Sequence, residues 1–347
     1  MIATSRLAPE TMIERERALF AERSPRSAEL AKRAAPHWLS GVPMHWMADW
    51  GTPFPLFVSK ANGATLTDAD AHLYLDFCLG DTGAMYGHSP EPIAAAITSQ
   101  SRQGLTCMLP AESVASVGAA LAERFQLPFW QVTQTATDAN RAALRWARAI
   151  TGRSKVLVFQ GCYHGTVEET MVRLRGGRTV PREGAIGPAF DASSAAVAIE
   201  FNDVDALERA LASGEIAAVI AEPVMTNIGM VLPQAGYLDH LRERTRAHDV
   251  LLILDETHTL SSGPGGYAAS LSWQSDFWVC GKAIAGGLSA AVLGFSSEIE
   301  SRMRQVLAQR EAGHSGMGTT LAANPLVFAA LSAALKYLHT EVTHAAM

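Results

Sequence analysis

With 347 residues, 48% of them hydrophobic and 18% charged, the chain can bury a sizeable core and is too apolar for a disordered or fibrous protein. A formal net charge of -6 with no basic stripe excludes nucleic acid and an anionic membrane surface as main partners. The four cysteines, Cys78, Cys107, Cys162 and Cys280, are far apart with no CxxC pair, which excludes a zinc site or disulfide scaffold and points to a reducing cytoplasm.

The charged start, residues 1–22, lacks the apolar segment of a signal peptide, and the longest apolar runs, such as 250–254, are strand-sized and too short to span a bilayer. A soluble, cytoplasmic protein is expected. Residues 9–39 read as helical, with Ile13, Ala18, Leu19 and Phe20 among charges. A turn-rich stretch follows, with Trp38, Trp46 and Trp50 nearby. Residues 54–77 read as short strands, broken by turn signals at 61–63 and 68–70. Residues 1–79 are therefore predicted as an N-terminal helix and small-strand segment, and 80–347 as a large α/β domain.

Past Gly80 the pattern alternates. Helices are predicted at 91–103 and 112–125, a strand at 130–134, a helix at 138–150 and a strand at 155–160. Further strands are predicted at 196–201, 217–222, 250–255, 277–280 and 291–295, and further helices at 204–213, 237–248 and 325–339. Apolar strands spaced by helices call for a mostly parallel sheet covered on both faces.

In such sheets ligands collect at the carboxyl ends of the strands. Four of these ends carry polar groups: Asp255-Glu256, Glu222-Pro223, Gly281-Lys282 with Gly286-Gly287 beyond, and Thr135-Ala136-Thr137-Asp138 before a helix. Taken singly they are ordinary, since a lysine between glycines is usually a solvated loop residue and an acid or threonine after a strand is usually a helix cap. Occurring together, they suit a phosphorylated aldehyde cofactor. Its phosphate would seek the helix N-terminus at Thr135 to Thr137. Its pyridine nitrogen would need a buried carboxylate, Asp255. Its aldehyde would need a lysine able to lose its proton, Lys282. Tyr163, just past another strand, offers a flat partner for the ring.

The segments Gly161-Cys162-Tyr163-His164-Gly165, Ala221-Glu222-Pro223-Val224, Asp255-Glu256, Lys282 with Gly286-Gly287, and Gly318-Thr319-Thr320-Leu321-Ala322-Ala323-Asn324-Pro325 resemble the class III aminotransferases that depend on pyridoxal 5'-phosphate (PLP). Within that family the chain is most similar to glutamate-1-semialdehyde aminomutase and the amino acid aminotransferases close to it. The resemblance runs from about Phe54 to Leu338. It implies the fold type I architecture of PLP-dependent transferases and transfer of an amino group from an amino acid or amine donor to a 2-oxo acid through a Schiff base on Lys282. It implies further that Asp255 pairs with the ring nitrogen, that Tyr163 stacks on the ring beside His164, and that Ala136 and Thr137, next to Thr135, hold the phosphate. Thr319 would reach the phosphate from the neighbouring subunit of a homodimer with shared sites. Glu222 and Asn227 would lie near the ring oxygen and the substrate.

Departures accompany the likeness. The phosphate loop reads Thr135-Ala136-Thr137-Asp138 where the family usually has Ser-Gly-Thr-Glu. Thr257 stands where an aliphatic residue would pack on the ring, and His258 beside it reads as a supporting structural histidine rather than a catalytic base. His45 takes the place of an arginine that grips substrate, and Asp81 the place of an aromatic residue; both changes argue against a glutamate-semialdehyde substrate. The family has a C-terminal subdomain after the long helix, often with a carboxylate-binding arginine, and the sequence stops before it, so a fold without that subdomain is expected.

Three other readings are weaker. A serine hydrolase would need Gly-x-Ser-x-Gly; the nearest matches, at 313–317 and 87–91, each lack the second glycine in place. A nucleotide-binding loop is absent around Lys282. A scaffold without turnover has no use for Lys282, Asp255 and Tyr163 together. Among the enzymes, the alternative to transamination is aminomutase chemistry, with decarboxylation or racemisation behind it.

Overall fold

The computed structural model describes residues 8–271, 273–310 and 315–347. Residues 1–7 of the charged start, and Gly313 and His314 of one near-match to a hydrolase motif, lie outside them. The chain divides into two compact units: residues up to Leu79 together with Gly87–Pro90, and Gly80–Tyr86 together with the chain from Glu91 onward. Among the described residues no helix is long and apolar enough to cross a membrane.

In the first unit, the helix predicted over 9–39 is two helices, α1 (Pro9–Arg23) and α2 (Pro25–Ala34). A residue before proline avoids helical angles, and Ser24 accordingly sits at φ -119°, ψ 50°. Pro25 then opens α2, where its missing N–H costs nothing. Asp70 completes that end by accepting bonds from the N–H groups of Arg26 (2.7 Å) and Ser27 (2.9 Å) and from the Ser27 hydroxyl (2.8 Å). Strands β1 (Val58–Asn62), β2 (Thr65–Asp68) and β3 (Leu73–Leu75) form an antiparallel meander. Gly63, at φ +54°, makes the first turn. At the second, the buried Asp68 accepts the N–H groups of Asp70 and His72 and the Tyr74 hydroxyl. Gly87–Pro90 join this unit through a Gly63–His88 bridge and a 2.6 Å contact from His88 Nε2 to Asp76 Oδ2.

The second unit holds α3 (Glu91–Gln100), α4 (Val114–Phe125), β4 (Phe129–Thr133), α5 (Ala136–Thr151), β5 (Lys155–Phe159), the hairpin β6 (Val172–Arg175) and β7 (Arg178–Pro181), and β8 (Ala196–Ile199). It continues with α6 (Val204–Ala212), β9 (Ile216–Ala221), α7 (Tyr237–Ala247), β10 (Leu251–Asp255), the short α8 (Gly266–Ser270), β11 (Phe277–Cys280), β12 (Ala291–Phe295), α9 (Ser297–Ala308) and α10 (Pro325–Tyr337). Seven strands form one sheet in the order β4-β12-β11-β10-β9-β5-β8. These are the seven strands expected from the apolar runs. Every residue of β9 and β10 is buried, as the continuous apolar runs of a sheet covered on both faces require.

One strand runs against the rest: β12 is antiparallel to both β11 and β4. The connection from β11 to β12, residues 281–290, is shorter than the dozen or so residues of a parallel crossover, so the chain must turn straight back. That tight return carries Lys282 and the Gly286-Gly287 pair, and it leaves them at the carboxyl ends of the parallel strands. Gly286, at φ +64°, could not carry a side chain there, because a Cβ would meet the Ile93 side chain.

Candidate active site

A cleft of about 390 Å³ opens at those carboxyl ends. It is lined by Thr135, Ala136, Thr137, Tyr163, His164, Glu222, Asp255, Thr257 and Lys282, all expected from the sequence, together with His258 and the 287–290 turn. Two expected residues are not among its lining. Asn227 donates to the Gly161 carbonyl (2.9 Å), and the Thr319 hydroxyl donates to Gln134 Oε1 of its own chain (2.9 Å). His45 belongs to the first unit, exposed on the 3-10 turn His45–Ala48.

Asp255 and Glu256, adjacent at the end of β10, do different work. Glu256 is fully buried and accepts the Thr259 hydroxyl (2.6 Å) and the N–H groups of Tyr267 (2.9 Å) and Ala268 (2.8 Å). It thereby folds the loop that carries His258. Asp255, only 5% exposed, accepts the Asn140 side-chain amide (2.9 Å) and the Thr257 N–H (3.1 Å), with His164 Nδ1 2.9 Å away. Burial opposes charge on both members of the Asp255–His164 pair. It is outweighed: the His164 hydrogen bond and charge pull Asp255 down to about 2, while Cys162 and Asp255 lift His164 above an ordinary imidazole. Asn140 was not singled out from the sequence. Its signal is a polar residue within the buried Ala139, Ala143, Ala147 stripe of α5.

This pair gives stability a pH dependence. Asp255 is held below its ordinary 3.8, so its contribution is present above pH 3.8 and is lost as pH falls toward 2. His164 is raised, so its contribution is full below pH 6.5 and is lost as pH rises through its folded value. The Asp255 part amounts to about 2 kcal/mol. Urea unfolding of the wild type should therefore weaken between pH 4 and 2 more steeply than that of Asp255→Asn. Parallel pH curves for the two proteins would show that the pair is not ionised in the native state.

The N-terminus of α5 points into the cleft. Thr135 caps it, accepting the Asp138 N–H (3.2 Å) and donating its hydroxyl to the Asp138 carboxylate (2.8 Å). Ala136 and Thr137 follow, and the N–H groups of a first helical turn have no intrahelical acceptor, which suits an anion. Two glycines keep this end open. A Cβ on Gly281 would stand 3.0 Å from Ala136 Cβ and 3.2 Å from its nitrogen. A Cβ on Gly165, at φ +80°, would overlap Thr137 Oγ1 and approach Thr137 Cβ to 2.9 Å. Gly165→Ala should therefore cost about 2–4 kcal/mol from left-handed strain and overpacking together. A denaturation midpoint equal to that of the wild type would show that the loop and Thr137 can part without cost.

Lys282 reaches the cleft from an unusual backbone, φ +50°. Its Nζ donates to Asp81 Oδ2 (2.6 Å) and lies 2.7 Å from His258 Nε2. His258, read from the sequence as a supporting residue, thus touches the lysine directly. Glu222, which also lines the cleft, is buried. One of its oxygens accepts the Thr226 hydroxyl (2.6 Å) and N–H (3.1 Å), and the other, Oε1, has no partner among the described residues.

A family model described as Aminotransferase class-III matches residues 46–345. Glutamate-1-semialdehyde 2,1-aminomutase of Syntrophomonas wolfei subsp. wolfei is 34% identical over 328 residues, which cover 91% of this chain and 73% of that protein. A crystal structure of a glutamate-1-semialdehyde-aminomutase from Pseudomonas aeruginosa PAO1 in complex with PMP superposes with a TM-score of 0.92 at 48% identity, covering 96% of this chain and 75% of that one. An omega-transaminase from Sphaerobacter thermophilus superposes with a TM-score of 0.83 at 29% identity, covering 93% and 75%. The chain spans 65–73% of the length of three curated aminomutases that it matches.

Proposed function

The chain belongs to the class-III aminotransferase family, and on that premise we propose that it is a pyridoxal 5'-phosphate enzyme that moves an amino group within one substrate, in the manner of glutamate-1-semialdehyde aminomutase. One observation carries the reading: a lysine, a buried charged aspartate and a free helix N-terminus share one cleft.

The residues present fit the cofactor. The first N–H groups of α5, at Ala136 and Thr137, with the hydroxyls of Thr135 and Thr137, suit its phosphate, and Gly165 and Gly281 leave the room. Asp255 suits the ring nitrogen, Tyr163 and Thr257 its faces, and the unpartnered Glu222 Oε1 can accept a donor at its edge. When bound, the cofactor supplies an aldehyde that links to amines and a ring that draws electrons from the carbon beside the nitrogen. Asp255, ionised throughout the neutral range, holds a proton on that ring, and His164 and Asn140 fix the carboxylate in place. Lys282 would anchor the cofactor, and its amine, once freed, would carry the proton between the substrate carbon that bears nitrogen and the cofactor. A homodimer in which Thr319 of one protomer serves its partner's phosphate belongs to the same proposal and rests on the family resemblance.

The named relatives favour the aminomutase over transfer to a 2-oxo acid, the first expectation from the sequence. Transfer between two substrates is the second reading, and the likeness to an omega-transaminase supports it. The experiment is to supply glutamate 1-semialdehyde alone, and separately amino donors with pyruvate or 2-oxoglutarate. Isomerisation without a second substrate is the expected result. Turnover only with both a donor and an acceptor would replace the aminomutase by a transaminase.

A further inference from the structure

Three pieces of chain converge on one nitrogen. Lys282 Nζ donates to Asp81 Oδ2 at 2.6 Å and meets His258 Nε2 at 2.7 Å, and His258 Nδ1 lies 3.2 Å from Thr82 Oγ1. Asp81, Thr82 and Lys282 stand at φ +55°, +69° and +50°, a region that side chains with a Cβ rarely adopt. Three such residues at one point mark strain of the kind held at working sites. A carboxylate oxygen and an imidazole nitrogen set around one nitrogen make a seat for a primary ammonium, which has three N–H donors to place. Lys282 supplies that ammonium from within the chain.

We propose that Asp81 and His258 form a docking seat for the primary ammonium of the amino substrate, which Lys282 fills only while its own nitrogen is free. This deepens the proposed function and rests on Lys282 being the cofactor's attachment point: a lysine nitrogen engaged by the cofactor no longer brings three donors, and the seat passes to the incoming substrate. An amine attacks only as its free base, so the docked ammonium must lose a proton. The substrate N–H bond breaks, its electron pair stays on nitrogen, and the proton passes to His258 Nε2, with Nδ1–H directed at Thr82. Burial and the Lys282 charge push His258 below an ordinary imidazole, while Asp81, Glu222 and Asp255, the acids that face it, draw it back up. The ring is therefore neutral near pH 7 and free to accept. The Asp81 carboxylate offsets the imidazolium that results. Quaternary ammonium ions have no N–H to donate and are excluded, and a tertiary ammonium has one donor for the two acceptors.

The test uses the full chain with Lys282→Ala, without cofactor, titrated calorimetrically at pH 7 with propylammonium and with tetramethylammonium. Lys282→Gly, which suits the left-handed backbone, serves in its place if the alanine variant does not fold. Propylammonium should bind and tetramethylammonium should not. Adding Asp81→Asn or His258→Phe should weaken propylammonium by about two- to fivefold, whereas His258→Gln, which keeps an acceptor, should retain it. The wild type, with its seat filled, should not respond. Equal binding of the two cations, or propylammonium affinity unchanged by Asp81→Asn and by His258→Phe, would overturn the seat. The attachment reading fails separately, by a borohydride-reducible adduct of pyridoxal phosphate mapping to another lysine in the wild type.

Discussion

Lys282→Ala is expected to lower turnover by about 10³-fold or more, because it removes both the covalent anchor and the proton carrier of one reaction. The borohydride-reducible lysine adduct should vanish with it. Stability should change far less. The ion pair that is lost joins Lys282 to an Asp81 side chain that is 75% exposed, and such pairs contribute little. The backbone makes a sharper check possible. Residue 282 sits at φ +50°, where alanine is strained and glycine is not, so Lys282→Gly should be more stable than Lys282→Ala by about 1 kcal/mol while equally inactive. Activity and stability then move independently, which separates a lost chemical group from a damaged fold. Turnover of Lys282→Ala within tenfold of the wild type would remove the lysine from the mechanism.

The sheet was legible because its strands are buried on both faces. The runs at 217–222 and 250–255 are unbroken apolar stretches ending in an acid, and a surface strand would alternate instead. Direction was less legible. Nothing in the composition of residues 291–295 marks β12 as antiparallel; only the shortness of the 281–290 connection does. Hairpin β6–β7 was missed although Gly176-Gly177, at φ +53° and +73°, is the pair that a tight two-residue turn favours. Helix α9 was missed with its Ser296 cap in plain view, the hydroxyl accepting the Ile299 N–H. Neither segment carries the continuous apolar run that marks the buried strands.

The site divides in the same way. Residues that follow strands, such as Asp255, Glu222 and Lys282, could be placed at one edge of the sheet from the sequence, because topology alone brings strand ends together. Residues that meet them from elsewhere in the chain could not. Asn140 reaches Asp255 from a helix, and Asp81 reaches Lys282 across 201 positions of sequence. His258 was read as supporting because its spacing from Asp255 carries no geometric message. Only the loop folded by Glu256 brings its ring to the lysine nitrogen.

Asp255→Asn should leave the fold in place and slow the reaction by about 10³-fold. Asparagine keeps the shape of aspartate and removes the charge. An ion pair at hydrogen-bond distance, ~3 Å, contributes about 5 kcal/mol at an effective dielectric of ~20 and about 1.4 kcal/mol in water. The difference, ~4 kcal/mol, is what a charged Asp255 can spend on keeping the cofactor ring protonated, and it corresponds to roughly 10³ in rate. The substitution also disturbs the support. Two donors now converge on Asp255 Oδ2, from Asn140 and His164, and an amide nitrogen turned toward either would oppose a donor with a donor. A structural cost of about 1–3 kcal/mol follows from that mismatch alone. A spectroscopic reading separates the two effects: with its carboxylate partner gone, His164 loses one of the two groups that raise it while burial, the largest influence and one that lowers its pKa, remains, so its NMR titration should shift downward. Cofactor affinity and alpha-proton removal should fall together. If turnover stayed within tenfold of the wild type while the His164 titration moved as expected, the carboxylate would be a structural partner of the histidine and not the counter-charge of the ring.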